Sequence, residues 1–157
     1  MLELFEKGII FFKTSNNLPE LDFSKASPPT PKTSGFSYPA EKSLVVLLNN
    51  TEGQLLTNLI PEELLLFKPI WRATLCLKGF SMPKHQDQSS GPVIYLIWKG
   101  SSLDRKFVYG KGRDTLGEVY PITGTGAIIN CASNSYWHLV EEQKYDDPII
   151  TFIGKKE

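Results

Sequence analysis

The sequence predicts a mainly β chain: a jelly-roll or barrel-like sandwich core carrying an N-terminal extension of mixed α/β character. Three observations lead there. From residue 70 onward, short runs with apolar alternation recur at close spacing, each bounded by Gly, Ser, Asp and Asn turn chemistry. Before residue 70 the composition is uneven, with one stretch of helical tone. The total of 157 residues suits a single domain, read as an extension over 1–69 and a core over 70–157.

In the extension, "GIIFF" (8–12) predicts a short strand. The segment 15–40 is rich in Pro, Ser, Thr and Asn, which predicts a long loop with turns at Pro19, Pro28-Pro29 and Pro31. Loops of that length in small domains are often lids, and 25–40 is read as a substrate-covering candidate. "SLVVLLN" (43–49) predicts a compact strand. "GQLLTNLIPEELLLFK" (53–68) predicts a helix, with a cap at Asn58 or just after it, Pro61 in a first turn, and Glu62 and Glu63 complementing the dipole.

The core reads as eight strands: 70–79, 81–87, 92–99, 105–110, 117–122, 126–131, 136–142 and 148–154. The pieces between them, including "KGRDTL" (111–116), are read as turns. In the first, Trp71, Ala73, Leu75 and Leu77 share one face with period two, and Arg72, Thr74, Cys76 and Lys78 share the other. Eight short antiparallel strands leave exposed edges unless the sheets close on one another, hence the jelly roll. Trp71, Trp98, Trp137, Tyr95, Tyr109 and Tyr136 are expected mainly in the core, with some available to line a pocket.

Composition narrows the functional classes. Lys plus Arg and Asp plus Glu both total 17, so no global basic field points to nucleic acid. Cys76 and Cys131 form neither a disulfide framework nor a zinc ribbon; they are expected as buried thiols of a reduced, cytoplasmic protein. Glu3 and Glu6 interrupt the first apolar run, so no secretory leader is expected. No run is long enough to predict a membrane span. "GKGRDTLGE" (110–118) has close glycines but no phosphate-loop ending.

The chain has two histidines, His85 in "PKHQDQ" and His138 in "SYWHLV". Residues two apart on a strand point the same way, so His85 and Asp87 can aim an imidazole and a carboxylate into one cavity. His138 lies near the head of a later strand and can supply a third ligand. Two imidazoles and a carboxylate on one side of a metal leave three positions open, a set that suits non-haem Fe(II). The other reading of His-x-Asp is a pair of hydrogen-bonded polar residues.

With "HQD" and "GTGAIINCASNSYWHLV" (124–140) in place, and "PIITFIG" as the last strand, the region from 70 onward resembles the double-stranded β-helix core of Fe(II)/2-oxoglutarate-dependent oxygenases. The resemblance implies a dioxygenase with His85, Asp87 and His138 as its iron ligands. It also implies 2-oxoglutarate and dioxygen as co-substrates, succinate and carbon dioxide as co-products, and ascorbate as an accessory reductant. One position departs. The family usually has an Arg at the start of the eighth strand for the distal carboxylate of 2-oxoglutarate; here Asp147 and Pro148 stand there, and neither donates to a carboxylate. Lys99, Arg72 and Lys106 are the replacements considered, with Lys155 further along the last strand.

Two other classes remain open. One is a jelly-roll binding or structural module without redox chemistry. The other is a cupin-type metal enzyme without 2-oxoglutarate; Gly79, six residues before His85, is cupin-like, but Asp87 and the strand placed before His138 are not. The substrate and the oligomeric state are not legible.

Overall fold

A computed structural model of the chain describes residues 8–28, 42–87, 91–101, 105–132 and 135–157. The strands are β1 (Ile9–Lys13), β2 (Ser43–Leu47), β3 (Ile70–Cys76), β4 (Met82–His85), β5 (Val93–Lys99), β6 (Phe107–Lys111), β7 (Asp114–Val119), β8 (Thr125–Asn130), β9 (Tyr136–Val140) and β10 (Ile149–Lys155); one helix, α1 (Asn50–Thr57), follows β2. They form a six-stranded sheet in the order β1-β8-β5-β10-β3-β2 and a four-stranded sheet in the order β4-β9-β6-β7. From β3 onward the chain passes back and forth between the two sheets, except at β6 and β7, which form a hairpin within the small sheet. This is the double-stranded β-helix. The extension adds β1 against β8 (Ile9↔Ile129) and β2 against β3 (Leu44↔Leu75).

The period-two pattern of β3 decides how the layers divide. Trp71 and Ala73 face outward from the barrel into a cluster with Tyr95, Ile97 and Phe152, covered by Leu56 and Ile60 of the extension. Arg72, Thr74 and Cys76 face inward and line the cavity between the sheets. The face that is more polar in sequence is thus the interior one. Both cysteines are free and buried, as expected; burial pushes the Cys131 thiol up to about 12.

Three boundaries differ from expectation. The helix lies earlier, at Asn50–Thr57, because Asn49 and Glu52 form a capping box: Asn49 Oδ1 accepts from the Glu52 amide and Glu52 Oε1 from the Asn49 amide. Asn58 is its C-cap, and Pro61, whose ring would clash with the carbonyl four residues back, ends the helical run and leads instead into a 3-10 turn at Glu62–Leu64. "KGRDTL" is mostly strand: Lys111 pairs with Asp114, leaving Gly112 and Arg113 as a two-residue hairpin loop, with Gly112 at φ +57°. β4 ends at His85, which leaves Asp87 just past the strand.

The extension is fastened by buried polar contacts. Trp71 Nε1 donates to Thr57 Oγ1 at 3.0 Å, tying α1 to β3. Tyr95 Oη donates to the Leu64 carbonyl and accepts from the Leu66 amide. Within 25–40, Lys25 closes a 3-10 turn and Ser27 bridges to Val45; the rest of that lid expectation, from residue 29, falls outside the described residues. Among the described residues no helix is long and apolar enough to cross a membrane.

Candidate metal centre

His85 is the last residue of β4, and His138 sits in the middle of β9, directly opposite it in register. The antiparallel pairing brings the two imidazoles together, with ring centroids 4.2 Å apart. Asp87, released from the strand, turns its carboxylate between them: Oδ2 lies 3.0 Å from His138 Nε2 and 3.6 Å from His85 Nε2. One ligand atom from each residue falls within 4.8 Å of the others. The structure therefore assembles the three residues that the sequence singled out.

Their protonation suits a cation. His85 Nδ1 donates to the Pro83 carbonyl at 2.7 Å, which leaves the lone pair on Nε2, the nitrogen facing Asp87. Burial, helped by the neighbouring His138, lowers the His85 pKa and keeps the ring neutral. Burial pushes the Asp87 carboxyl up, but the hydrogen bond from His138 and the charges of His138, His85 and Lys155 outweigh it and hold Asp87 below the usual carboxylate range. Phe107 of β6 stacks on the His138 ring at 5.2 Å and 20°, which fixes its plane. Two imidazole nitrogens and one carboxylate oxygen converging from one side match the donor set for a divalent transition metal with open positions.

The triad borders a cavity of about 80 Å³ between the sheets. Its walls are largely apolar, with Leu96, Trp98 and Ile153 among them. Three cations and one carboxylate, Asp87, line it among the described residues. Arg72 and Lys155 stand on the large sheet near the triad. Arg105 is 1% exposed and packs its guanidinium over the Phe80 ring, near Cys76. Its Nε and Nη1 have no hydrogen-bond partner among the described residues. A buried guanidinium with donors to spare is costly unless an anion meets it.

Of the cations weighed in sequence, only Arg72 and Lys155 reach this cavity. Lys99 follows Trp98 on β5 and so falls on the opposite face from it. Lys106 lies outside, paired with Glu118 at 3.0 Å. Asp147 is exposed and accepts from Ser101 Oγ. Arg105 was missed, though the signal was present: the alternation of "RKFVYG" puts Arg105 on the same face as Phe107 and turns Lys106 away. Of the aromatics, Trp98 lines the cavity, Trp71 and Tyr95 lie in the outer core, and Trp137 packs elsewhere, under Lys84.

No family model and no curated protein matches the sequence. Solved structures do. An oxidoreductase of the 2OG-Fe(II) oxygenase family from Burkholderia pseudomallei superposes with a TM-score of 0.63 at 14% identity, over 99% of this chain and 87% of its own. A Pseudomonas putida prolyl-4-hydroxylase gives 0.66 at 11%, over 98% and 96%. A prolyl hydroxylase from Trichoplax adhaerens, solved with a hypoxia inducible factor peptide fragment, gives 0.69 at 10%, over 98% and 86%. At such identities the likeness is one of fold. The chain thus has the double-stranded β-helix fold found in 2-oxoglutarate/Fe(II) oxygenases, and on it a His-x-Asp…His triad whose ligand atoms converge.

Proposed function

We propose that the protein is an Fe(II)- and 2-oxoglutarate-dependent dioxygenase, with His85, Asp87 and His138 holding the iron and Arg105 receiving the distal carboxylate of 2-oxoglutarate. The observation that carries the reading is the pairing of two sites in one cavity: a convergent His-Asp-His set and a buried guanidinium with unmet donors. A diacid is the ligand such a cavity fits, one carboxylate toward the metal and the other toward Arg105. Arginine there supplies the forked contact that Asp147 cannot.

Bound at the triad, Fe(II) supplies the activation of dioxygen that couples oxidation of 2-oxoglutarate to succinate and carbon dioxide with hydroxylation of a second substrate; ascorbate would keep the iron reduced. The chain's own residues do the rest. Pro83 holds His85 in the ligating tautomer through its carbonyl. Phe107 prevents His138 from turning. Leu96, Trp98 and Ile153 keep the cavity dry, which strengthens the Arg105–carboxylate contact. His138 gives up its hydrogen bond to Asp87 when both become ligands, so the proton on its Nε2 must first leave that nitrogen.

The test is calorimetric titration of 2-oxoglutarate into Mn(II)-loaded protein, followed by succinate formation with Fe(II), ascorbate and dioxygen. Binding that requires metal and falls at least tenfold in Arg105→Gln is the expected result, with His85→Ala abolishing succinate formation. Metal uptake without 2-oxoglutarate binding would favour a cupin-type enzyme. A protein that takes up no divalent metal would be a jelly-roll binding module instead.

A further inference from the structure

The described lining of the cavity holds more positive charge than the proposed metal and co-substrate account for. Its described lining has Arg72, Arg105 and Lys155 against the single carboxylate of Asp87. A divalent metal and a dianionic 2-oxoglutarate cancel one another, so among the described lining residues an excess of two positive charges stays. Arg105 faces its own carboxylate at the Phe80 end of the cavity. Arg72 and Lys155 stand on adjacent antiparallel strands of the large sheet. Register pairs Arg72 with Ile153 and Ile70 with Lys155, so the two side chains share the inward face as diagonal neighbours, a separation that long side chains span. Both feel the charge of Asp87, and Lys155 feels Arg72 as well: burial first, then Arg72, lowers the Lys155 pKa to about 8. Two cations held half-buried beside each other and beside a metal site form a costly arrangement that a bound anion relieves.

We propose that Arg72 and Lys155 form an anion-binding ledge beside the metal, and that the molecule oxidised there is held by a carboxylate or phosphate group on this ledge. The inference rests on the oxygenase reading of the site. The pair suits either group, the guanidinium by a forked contact and the ammonium as a point charge. The ledge faces the triad across the cavity, Arg72 and Lys155 on β3 and β10 and the histidines on β4 and β9, so an anion seated on it presents its neighbouring carbons toward the metal.

The test uses Mn(II)-loaded protein saturated with 2-oxoglutarate, titrated calorimetrically with N-acetylaspartate, its uncharged counterpart N-acetylasparagine, and glycerol 3-phosphate. The carboxylate or the phosphate probe, or both, should bind; the amide should bind at least tenfold more weakly than the carboxylate if the latter binds. Arg72→Gln and Lys155→Met should each weaken the anion at least tenfold while changing 2-oxoglutarate affinity less than threefold. Arg72→Lys and Lys155→Arg keep the charge and should stay within threefold for the anion, which separates charge from folding damage. Which probe binds names the group. If neither charged probe binds, or the neutralised variants bind it as wild type does, the ledge is not an anion site. If those variants lose 2-oxoglutarate instead, the two cations belong to the co-substrate and the proposal fails while the oxygenase reading stands. If wild type binds no 2-oxoglutarate, the oxygenase reading fails, and the same titrations on the Mn(II) protein alone still decide the ledge.

Discussion

His85 has two nitrogens with separate tasks: one is anchored to Pro83, the other faces the site. Its lowered pKa means that protons compete with metal at this ring only below the ordinary value of 6.5, so metal affinity should hold through neutral pH and fall on further acidification. Equilibrium dialysis against Zn(II) across pH checks this. Asp87→Asn removes the carboxylate of the triad and should cost about 100-fold in metal affinity or more, beyond the usual effect of losing a supporting residue. Lys155 gives a second pH signature. Its folded pKa of about 8 lies below the ordinary 10.5, so between those values the unfolded chain binds more protons and stability rises with pH. The melting temperature of metal-free protein should therefore contain a rising component from pH 8 to 10.5 that Lys155→Met removes. These residues were unequally legible. The spacing of His85 and Asp87 announced a shared direction, and the lone second histidine completed it. Arg105 was hidden beside Lys106, because a charge at a strand's start reads as solvent-facing unless the alternation is followed through Phe107.

The elements were legible where periodicity repeated and less so at their ends. All eight core strands stand where alternation placed them, within a few residues. The helix was displaced because its apolar stretch, "LLTNLI", draws attention past Asn49 and Glu52, whose reciprocal contacts set its start. Asn49→Ala should cost about 1 kcal/mol in chemical denaturation, the usual loss for an N-cap. The β6–β7 hairpin was read as a turn because Gly110 and Gly112 look like breakers. Gly110 is there for a closer reason: a Cβ would run into the Asp114 carbonyl oxygen and the Trp137 ring. Gly110→Ala should cost about 1–3 kcal/mol, as overpacking does, and the same denaturation measurement reads it. Since β6 pairs with β9 through Tyr109↔His138, this variant should also loosen metal binding, whereas Asn49→Ala, on the far face of the large sheet, should leave it unchanged.

Across the whole molecule, the sheets divide the labour. The small sheet carries the two histidines, and the large sheet carries Arg72 and Lys155. A ligand bound only by the folded site should stabilise the fold: at a concentration 100 times its dissociation constant, 2-oxoglutarate should add about 2.7 kcal/mol to metal-loaded protein, seen as a raised melting temperature, and at the same concentration about 1.4 kcal/mol or less in Arg105→Gln. That the chain closes into a barrel was legible from strand count and spacing; which faces turn inward was not, because a functional interior is more polar than a structural one. The pairing of His85 with His138 has a consequence in time. The first ligand ends β4, which pairs with β9, and β3, which carries Arg72, pairs with β2 on one side and on the other with β10, far along the sequence. Such distant partners make folding slow, since a long loop must close before any contact rewards it. During synthesis His85 and Asp87 therefore emerge before their third partner, and a metal held by all three residues would be captured only after β9 has been made. A chain cut short before β9 would lack His138 and should not hold a metal at this site.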